Sequence, residues 1–257
     1  MEYFGDYHTH SRYSDGNETV ERIADAARKR GLLEVAITDH GPRVPVSGVD
    51  NLNSYERVIK EIDSLKVPEV RVLAGAEANI IDLAGQLDIP PSVYEKLDVL
   101  LCGLHPYSVP GNIGDAYRLF GRNHLRHLGP TWRQKAVDAN TKATIAALKN
   151  NPVDILSHPG LFFEIDVAEV ARVCVKEGVL WEINCGHHHP RLEDVRIAIE
   201  VGVDFIINSD AHFYDTVGEM GYGSWLVKEL GIPRERIANY RVGGDQGWIG
   251  KRKKLQR

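Results

Sequence analysis

Seven short apolar runs, each followed by a helix-like segment, recur along this 257-residue chain. The runs cover about residues 3–8, 33–38, 70–76, 98–104, 153–156, 179–183 and 204–207. Helical periodicity falls on about 18–30, 52–65, 91–97, 136–149, 167–176, 192–201 and 220–230. In the first of these, Val20, Ile23, Ala24 and Ala27 share a face and Gly31 supplies the stop. Strand and helix patterns in strict alternation predict parallel strands joined by crossover helices. The sheet is then either a closed barrel or an open, doubly wound layer. What ends each run decides between them. His8, His40, Glu77, His105, His158 and Asp210 each follow the last apolar residue of a different run. An open sheet draws its ligands from a few strands at a switch point. A barrel draws them from all strands, at the C-terminal face. The expected fold is therefore α/β, a (β/α)7 TIM-like barrel with a metal site at the C-terminal face of its strands.

The length suits one such unit, since barrels of this kind run to about 200–250 residues. A single domain is expected over residues 1–242, with a basic C-terminal tail over 243–257. A formal net charge of -5 argues against an extended nucleic-acid surface. No apolar run approaches the ~18 residues of a membrane span, and the N-terminus lacks a leader pattern, so no membrane partner and a cytoplasmic location are expected. The three cysteines, Cys102, Cys174 and Cys185, contain no C-x-x-C pair. A disulfide framework or a thiolate zinc knuckle is not expected from them.

The metal reading rests on nine side chains: His8, His10, Asp15, His40, Glu77, His105, His158, Asp210 and His212. Residues i and i+2 of a strand point the same way, so His8 and His10 can grip one ion together. Asp15 lies in the turn Ser14-Asp15-Gly16, free to fold back. An isolated H-x-H is an ordinary polar strand end. Here the theme recurs at the other strand ends. One zinc takes four ligands in a closed site, or three plus water in a catalytic one. Nine ligands suffice for two or three divalent ions, and an all-nitrogen-and-oxygen set suits zinc, manganese or iron. Phosphate esters resist attack because their anionic oxygens repel nucleophiles. Cations bridged by a carboxylate lower the pKa of bound water and clamp the phosphoryl oxygens.

His8-Thr9-His10 with Ser14-Asp15-Gly16, Thr38-Asp39-His40, Gly75-Ala76-Glu77, Gly103-Leu104-His105-Pro106, Ser157-His158-Pro159 and Ser209-Asp210-Ala211-His212 resemble the motifs of the PHP (polymerase and histidinol phosphatase) family. The resemblance runs from Asp6 to His212, and the length is that of the free-standing histidinol-phosphatase-like branch. It implies a distorted seven-stranded barrel, a trinuclear metal site and phosphoester hydrolysis. By motif position, His8, His10, Glu77 and Asp210 would hold one ion. Glu77, His105 and His158 would hold a second, with Glu77 bridging. Asp15, His40 and His212 would hold the third; some members carry histidine where this chain has Asp15. The same resemblance gives Glu77, Asp210 and His212 catalytic roles.

Residues 107–135 break the rhythm, being far longer than the usual βα loop of about 2–6 residues. They carry Arg118, Arg122, Arg126, Arg133 and Lys135 against Asp115, a net +4. If 116–128 is one helix, Arg118, Arg122 and Arg126 share a face, with Leu119, Leu125 and Leu128 beneath. The segment then forms a basic lid over the metal face, able to clamp an anionic substrate, since guanidinium suits phosphate oxygens. Arg12, Arg43, His187 and Arg191 sit beside ligands in the sequence and are further substrate candidates.

The leading expectation is thus a metal-dependent phosphomonoesterase acting on a small phosphorylated substrate of the histidinol phosphate kind. A nuclease or phosphodiesterase working on nucleotides or DNA ends would use the same metals. A non-catalytic metal-binding regulatory domain is a third reading. A metal-dependent amidohydrolase also opens with H-x-H, but many of these place a lysine at the fourth strand, where this chain has His105. Oligomeric state is left open by the sequence.

Overall fold

A computed structural model describes residues 2–67 and 69–241 of the chain; the expected basic tail, 243–257, lies outside the described residues. Seven strands form one sheet in sequence order: β1 (Gly5–Asp6), β2 (Glu34–Ile37), β3 (Arg71–Asn79), β4 (Val99–Gly103), β5 (Ile155–Leu156), β6 (Leu180–Asn184) and β7 (Phe205–Asn208). Every neighbouring pair is parallel. The helices between them are α1 (Val20–Lys29), α2 (Asn53–Ser64), α3 (Pro91–Tyr94), α4 (Ile113–Asp115), α5 (Arg122–Leu125), α6 (Pro130–Asn150), α7 (Val167–Glu177) and α8 (Leu192–Val201), and α9 (Gly221–Leu230) follows β7.

Alternation along the strands sorts the side chains into an inner and an outer core. Ala36 joins Tyr7, Leu73, Val99, Leu101, Ile155, Leu180 and Ile206 in the inner cluster. Its neighbours Val35 and Ile37 point outward and pack on Val20, Ile23 and Ala27 of α1. The largest cluster joins Trp181, Ile183, Phe205 and Ile207 to the remaining helices.

β1 and β7 stand at the two ends of the sheet order, yet the barrel is nearly closed. Thr9 and Ala211 form a parallel bridge just beyond the strand ends. Tyr7 N donates to Asn208 Oδ1 at 3.0 Å. The buried Asn239 amide stitches the remaining gap: its Nδ2 donates to Gly5 O at 2.9 Å and its Oδ1 accepts from Ile207 N at 3.1 Å.

Three expectations change. β3 runs on to Asn79, so Glu77 lies within the strand and not after it. α6 begins at Pro130, six residues before the expected start at Ala136. The reason is Pro130 itself, which suits the first helical turn because its missing N–H has no partner there anyway. The segment 116–128 is not one helix. A π-helical turn, Ala116–Gly121, and a 3-10 turn, Arg126–Leu128, flank the single turn of α5. The wide turn spoils the four-residue register, so the three arginines do not form a stripe. Leu119 is buried beneath, but Leu128 is 69% exposed.

Candidate metal centre

The nine ligand-type side chains meet at the C-terminal mouth of the barrel. His8 and His10 leave β1, His40 leaves β2, His105 leaves β4, His158 leaves β5, and Asp210 and His212 leave β7. Glu77 is fully buried at their centre. Its Oε2 lies 3.2 Å from His8 Nε2, 3.6 Å from His10 Nε2 and 3.0 Å from His40 Nδ1. Its Oε1 lies 3.2 Å from His105 Nε2 and 2.8 Å from His158 Nε2. The two oxygens thus face different histidine groups, which is the geometry a bridging carboxylate needs. Asp210 Oδ1 closes on His10 Nε2 at 3.1 Å and His8 Nε2 at 3.4 Å. Asp15 Oδ1 lies 3.3 Å from His212 Nε2, and Asp15 Oδ2 lies 3.8 Å from His40 Nε2.

Three sets of ligand atoms lie within 4.8 Å of one another: His10, Asp15, His40 and His212; His8, His10 and Asp210; and His40, Glu77 and His105. They overlap the sets implied by motif position but give His10 and His40 a place in two sets each, put Glu77 in one set only, and leave His158 out. The donors fit metal ions. His8 Nε2, both ring nitrogens of His10, His40 Nδ1, His105 Nδ1, Asp15 Oδ1 and Glu77 Oε2 are buried without a hydrogen bond. Buried polar atoms rarely stay unpaired in a folded chain, so this many at one point marks a place for ions. His105 Nε2 and His158 Nε2 also face each other at 3.2 Å, as two lone pairs aimed at a common centre would.

The electrostatics follow from this crowding. Burial, then the neighbouring His40, holds His10 down to about 4. Burial likewise holds His105 down to about 4. His40 resists its own burial and is raised to about 9 by Glu77 and Asp15. Glu77 is buried, which would raise it, but His8, His105, His40 and His158 hold it well below the carboxylate range. Against partial burial, which would raise it, Asp15 is kept ionised, down to about 2, by the nearby His212, His10 and His40.

A layer of carboxylates behind the ligands has no place among the sequence candidates. Glu182 of β6 is fully buried; its Oε1 lies 2.7 Å from His8 Nδ1, and its Oε2 accepts from His158 N at 2.7 Å. Asn208 Nδ2 and Asn184 Nδ2 complete its shell at 2.8 and 3.1 Å. Asp39 accepts from Ser11 N and Ser11 Oγ, each at 2.7 Å, and from Ser14 Oγ at 2.6 Å, fixing the loop that carries Asp15. Asp6 accepts from Ser209 N at 3.1 Å and Gly218 N at 2.8 Å, fixing the loop that carries Asp210. The signal was a lone acid inside an apolar run, as in Trp181-Glu182-Ile183. Backbone strain sits here too. His158 and Asp210 adopt φ of 27° and 55°, the left-handed region that non-glycine residues enter at a cost. Gly103 is small for a reason, since a Cβ there would meet Ser157 Oγ at 2.5 Å and crowd His158 and His105.

The centre opens into a cleft of about 470 Å³. Its upper wall is apolar, with Val44, Tyr107, Phe162 and Phe213. Among the substrate candidates only His187 lines this cleft. Arg12 and Arg118 are exposed elsewhere. Arg43 ties its loop to Pro110 O at 3.2 Å. Arg122 reaches Lys135 O at 3.5 Å and lies over the Tyr117 ring. Arg126 and Arg191 line an adjoining cavity. Among the described residues, no helix is long and apolar enough to cross a membrane.

Known proteins resemble this arrangement. The pattern of the PHP domain family matches residues 6–185. A protein of Thermoanaerobacter sp. (strain X514) named "Probable phosphatase" is 30% identical, covering 97% of this chain and 95% of its own length. A "Probable phosphatase" of Clostridium botulinum (strain Hall) is 32% identical over 93% of this chain and 91% of its own. The fold matches the crystal structure of histidinol phosphate phosphatase from Lactococcus lactis, complexed with zinc, L-histidinol and phosphate. The TM-score is 0.64 at 18% identity, covering 90% of this chain and 95% of the other. Motifs, barrel and full-length relatives agree, and the chain belongs to the PHP domain family.

Proposed function

We propose that this chain is a metal-dependent phosphoesterase that hydrolyses small phosphomonoesters. The observation that carries the reading is Glu77, whose two oxygens divide five histidines between them at the floor of a cleft. Family membership and the names of full-length relatives support the same chemistry.

His8, His10, Glu77 and Asp210 would hold one ion, Glu77, His105 and His158 a second, and Asp15, His40 and His212, with His10 close by, a third. Bound divalent ions supply Lewis acidity and lower the pKa of water beside them. The chain supplies the rest. Glu182 and the backbone carbonyl of Asp210 fix the rings of His8 and His212, the latter at 3.0 Å from His212 Nδ1. Asp15 and His212, each about a quarter exposed, lie at the cleft mouth, where Asp15 orients the Nε2 edge of the His212 ring. Tyr107, Phe162 and Phe213 give the wall on which a carbon skeleton rests and from which water is excluded. A cleft of about 470 Å³ accommodates a small monoester, histidinol phosphate among them.

The test is phosphate release after loading with zinc, manganese or iron, alongside elemental analysis. We expect two or three ions per chain, turnover of small monoesters with modest salt dependence, and little cleavage of a single-stranded oligonucleotide. Oligonucleotide degradation that is faster and falls steeply with salt would favour a nuclease, because neutralised phosphates release counterions. Protein that holds no more than one ion would sink the trinuclear assignment.

A further inference from the structure

A second cavity, of about 450 Å³, adjoins the metal cleft and shares Phe162 and His187 with it. Its floor is the loop that follows His158, and its walls carry Arg126 and Arg133 on one side and Arg191 on the other. Arginine charge at a protein surface is ordinarily matched by a carboxylate. Arg133 follows that rule, its Nε pairing with Glu164 at 2.6 Å. Arg126 does not. It is half-buried, donates Nη1 to the carbonyl of Phe162 at 3.2 Å, and meets no carboxylate within ion-pair distance among the described residues. Arg191, at the start of α8, likewise makes no ion pair among the described residues. The one other acid lining the cavity is Asp194, which makes no ion pair with either arginine among the described residues. Three arginines, Arg126, Arg133 and Arg191, thus line the cavity against two acids, Glu164 and Asp194. They do so one side chain away from a metal centre.

We propose that this cavity binds a second anionic group of the substrate, so that the preferred substrates are small phosphomonoesters whose leaving group carries a further phosphate or carboxylate. The inference rests on the phosphoesterase reading above. The phosphoryl group sits at the metal cleft, the carbon skeleton passes Phe162, and the distal anion meets Arg126 and Arg191. The planar guanidinium fork suits a phosphate or carboxylate through paired N–H donors. Arg126 also donates to the Phe162 carbonyl and so ties its own segment to the partition between the two cavities.

Matched substrate pairs test this. Fructose 1,6-bisphosphate against fructose 6-phosphate reads a second phosphate; 3-phosphoglycerate against glycerol 3-phosphate reads a carboxylate. In at least one pair, kcat/KM should favour the partner that carries the second anionic group by about tenfold or more. Arg126→Ala and Arg191→Ala should each pull that ratio down by roughly tenfold. Arg191 is exposed, so its variant does not put folding at stake. Arg172→Ala, which removes a charge from α7 outside both cavities, should leave the ratio as it is. Wild-type ratios near one in both pairs would overturn the proposal, and so would an equal loss in Arg172→Ala. If no monoester is hydrolysed, the phosphoesterase reading fails, and calorimetric titration still decides the cavity. There, 3-phosphoglycerate should bind more tightly than glycerol 3-phosphate, with the difference lost in Arg191→Ala; equal affinities would refute it.

Discussion

Glu182 shows what one buried carboxylate contributes behind a ligand. It lies 2.7 Å from the Nδ1 of His8, and its other oxygen anchors the backbone of His158. Such partners fix a ring's tautomer and raise its basicity, and their loss commonly lowers metal affinity roughly 10- to 100-fold. Glu182→Gln keeps the size and loses the charge, so a competing chelator should strip its ions at correspondingly lower concentration. Unchanged affinity in a chelator titration would show that Glu182 only fills space. Glu182→Ala would instead strand the buried donors of Asn184, Asn208 and His158, at about 1–3 kcal/mol each. Six of the nine ligand candidates are legible in the sequence because each follows the last apolar residue of a run, where a barrel exposes its working face, while His10, Asp15 and His212 are legible from the motifs they share with those six. Glu182 is not legible that way. It sits two residues inside a strand, where a lone acid gives no hint of the histidine it faces from 174 residues away.

Among the elements, residues 107–135 are where pattern and structure part. The seven strands are legible as short apolar runs, since both of their faces are buried, and the long helices as a 3.6-residue repeat. Residues 107–135 instead mix α, π and 3-10 turns, and no single period describes them. What fixes this segment is packing. Leu119 is fully buried in the large outer core, and Asn123 and Asn140 pair at 2.7 Å beneath it. Leu119→Ala should therefore cost about 2–5 kcal/mol by denaturant unfolding. Leu128→Ala, at a position 69% exposed, should stay within about 0.5 kcal/mol of wild type. Equal effects from the two would mean that the segment is not docked as described. The arginines of this element illustrate the same point. Their four-residue spacing suggests one stripe, but the π turn sends Arg118 to solvent, Arg122 to Tyr117 and Arg126 to Phe162.

At the scale of the whole molecule, the histidine cluster makes stability depend on pH and on metal. His8, His40, His158 and His212 are all raised, His40 to about 9, because the carboxylates outweigh burial. Metal-free folded protein binds these protons before the unfolded chain does. That stabilisation is complete below about 6.5 and is lost as pH rises through about 9. The unfolding midpoint in excess chelator should therefore fall between pH 6.5 and 9. Added metal should remove that fall, because ions require neutral imidazoles and bind better as pH rises. A chelated protein whose midpoint climbs over the same window would contradict this account. The closure of the barrel reaches further still. Tyr7 pairs with Asn208 across 201 residues, and Asn239 joins Gly5 across 234. Contacts of such separation carry a large loop-closure entropy and slow folding. In synthesis His8 and His10 precede Asp210, His212 and Asn239 by almost the whole barrel. The two halves of the histidine cluster therefore cannot meet until β7 has been made, so the cluster forms with the closure of the barrel and not before it.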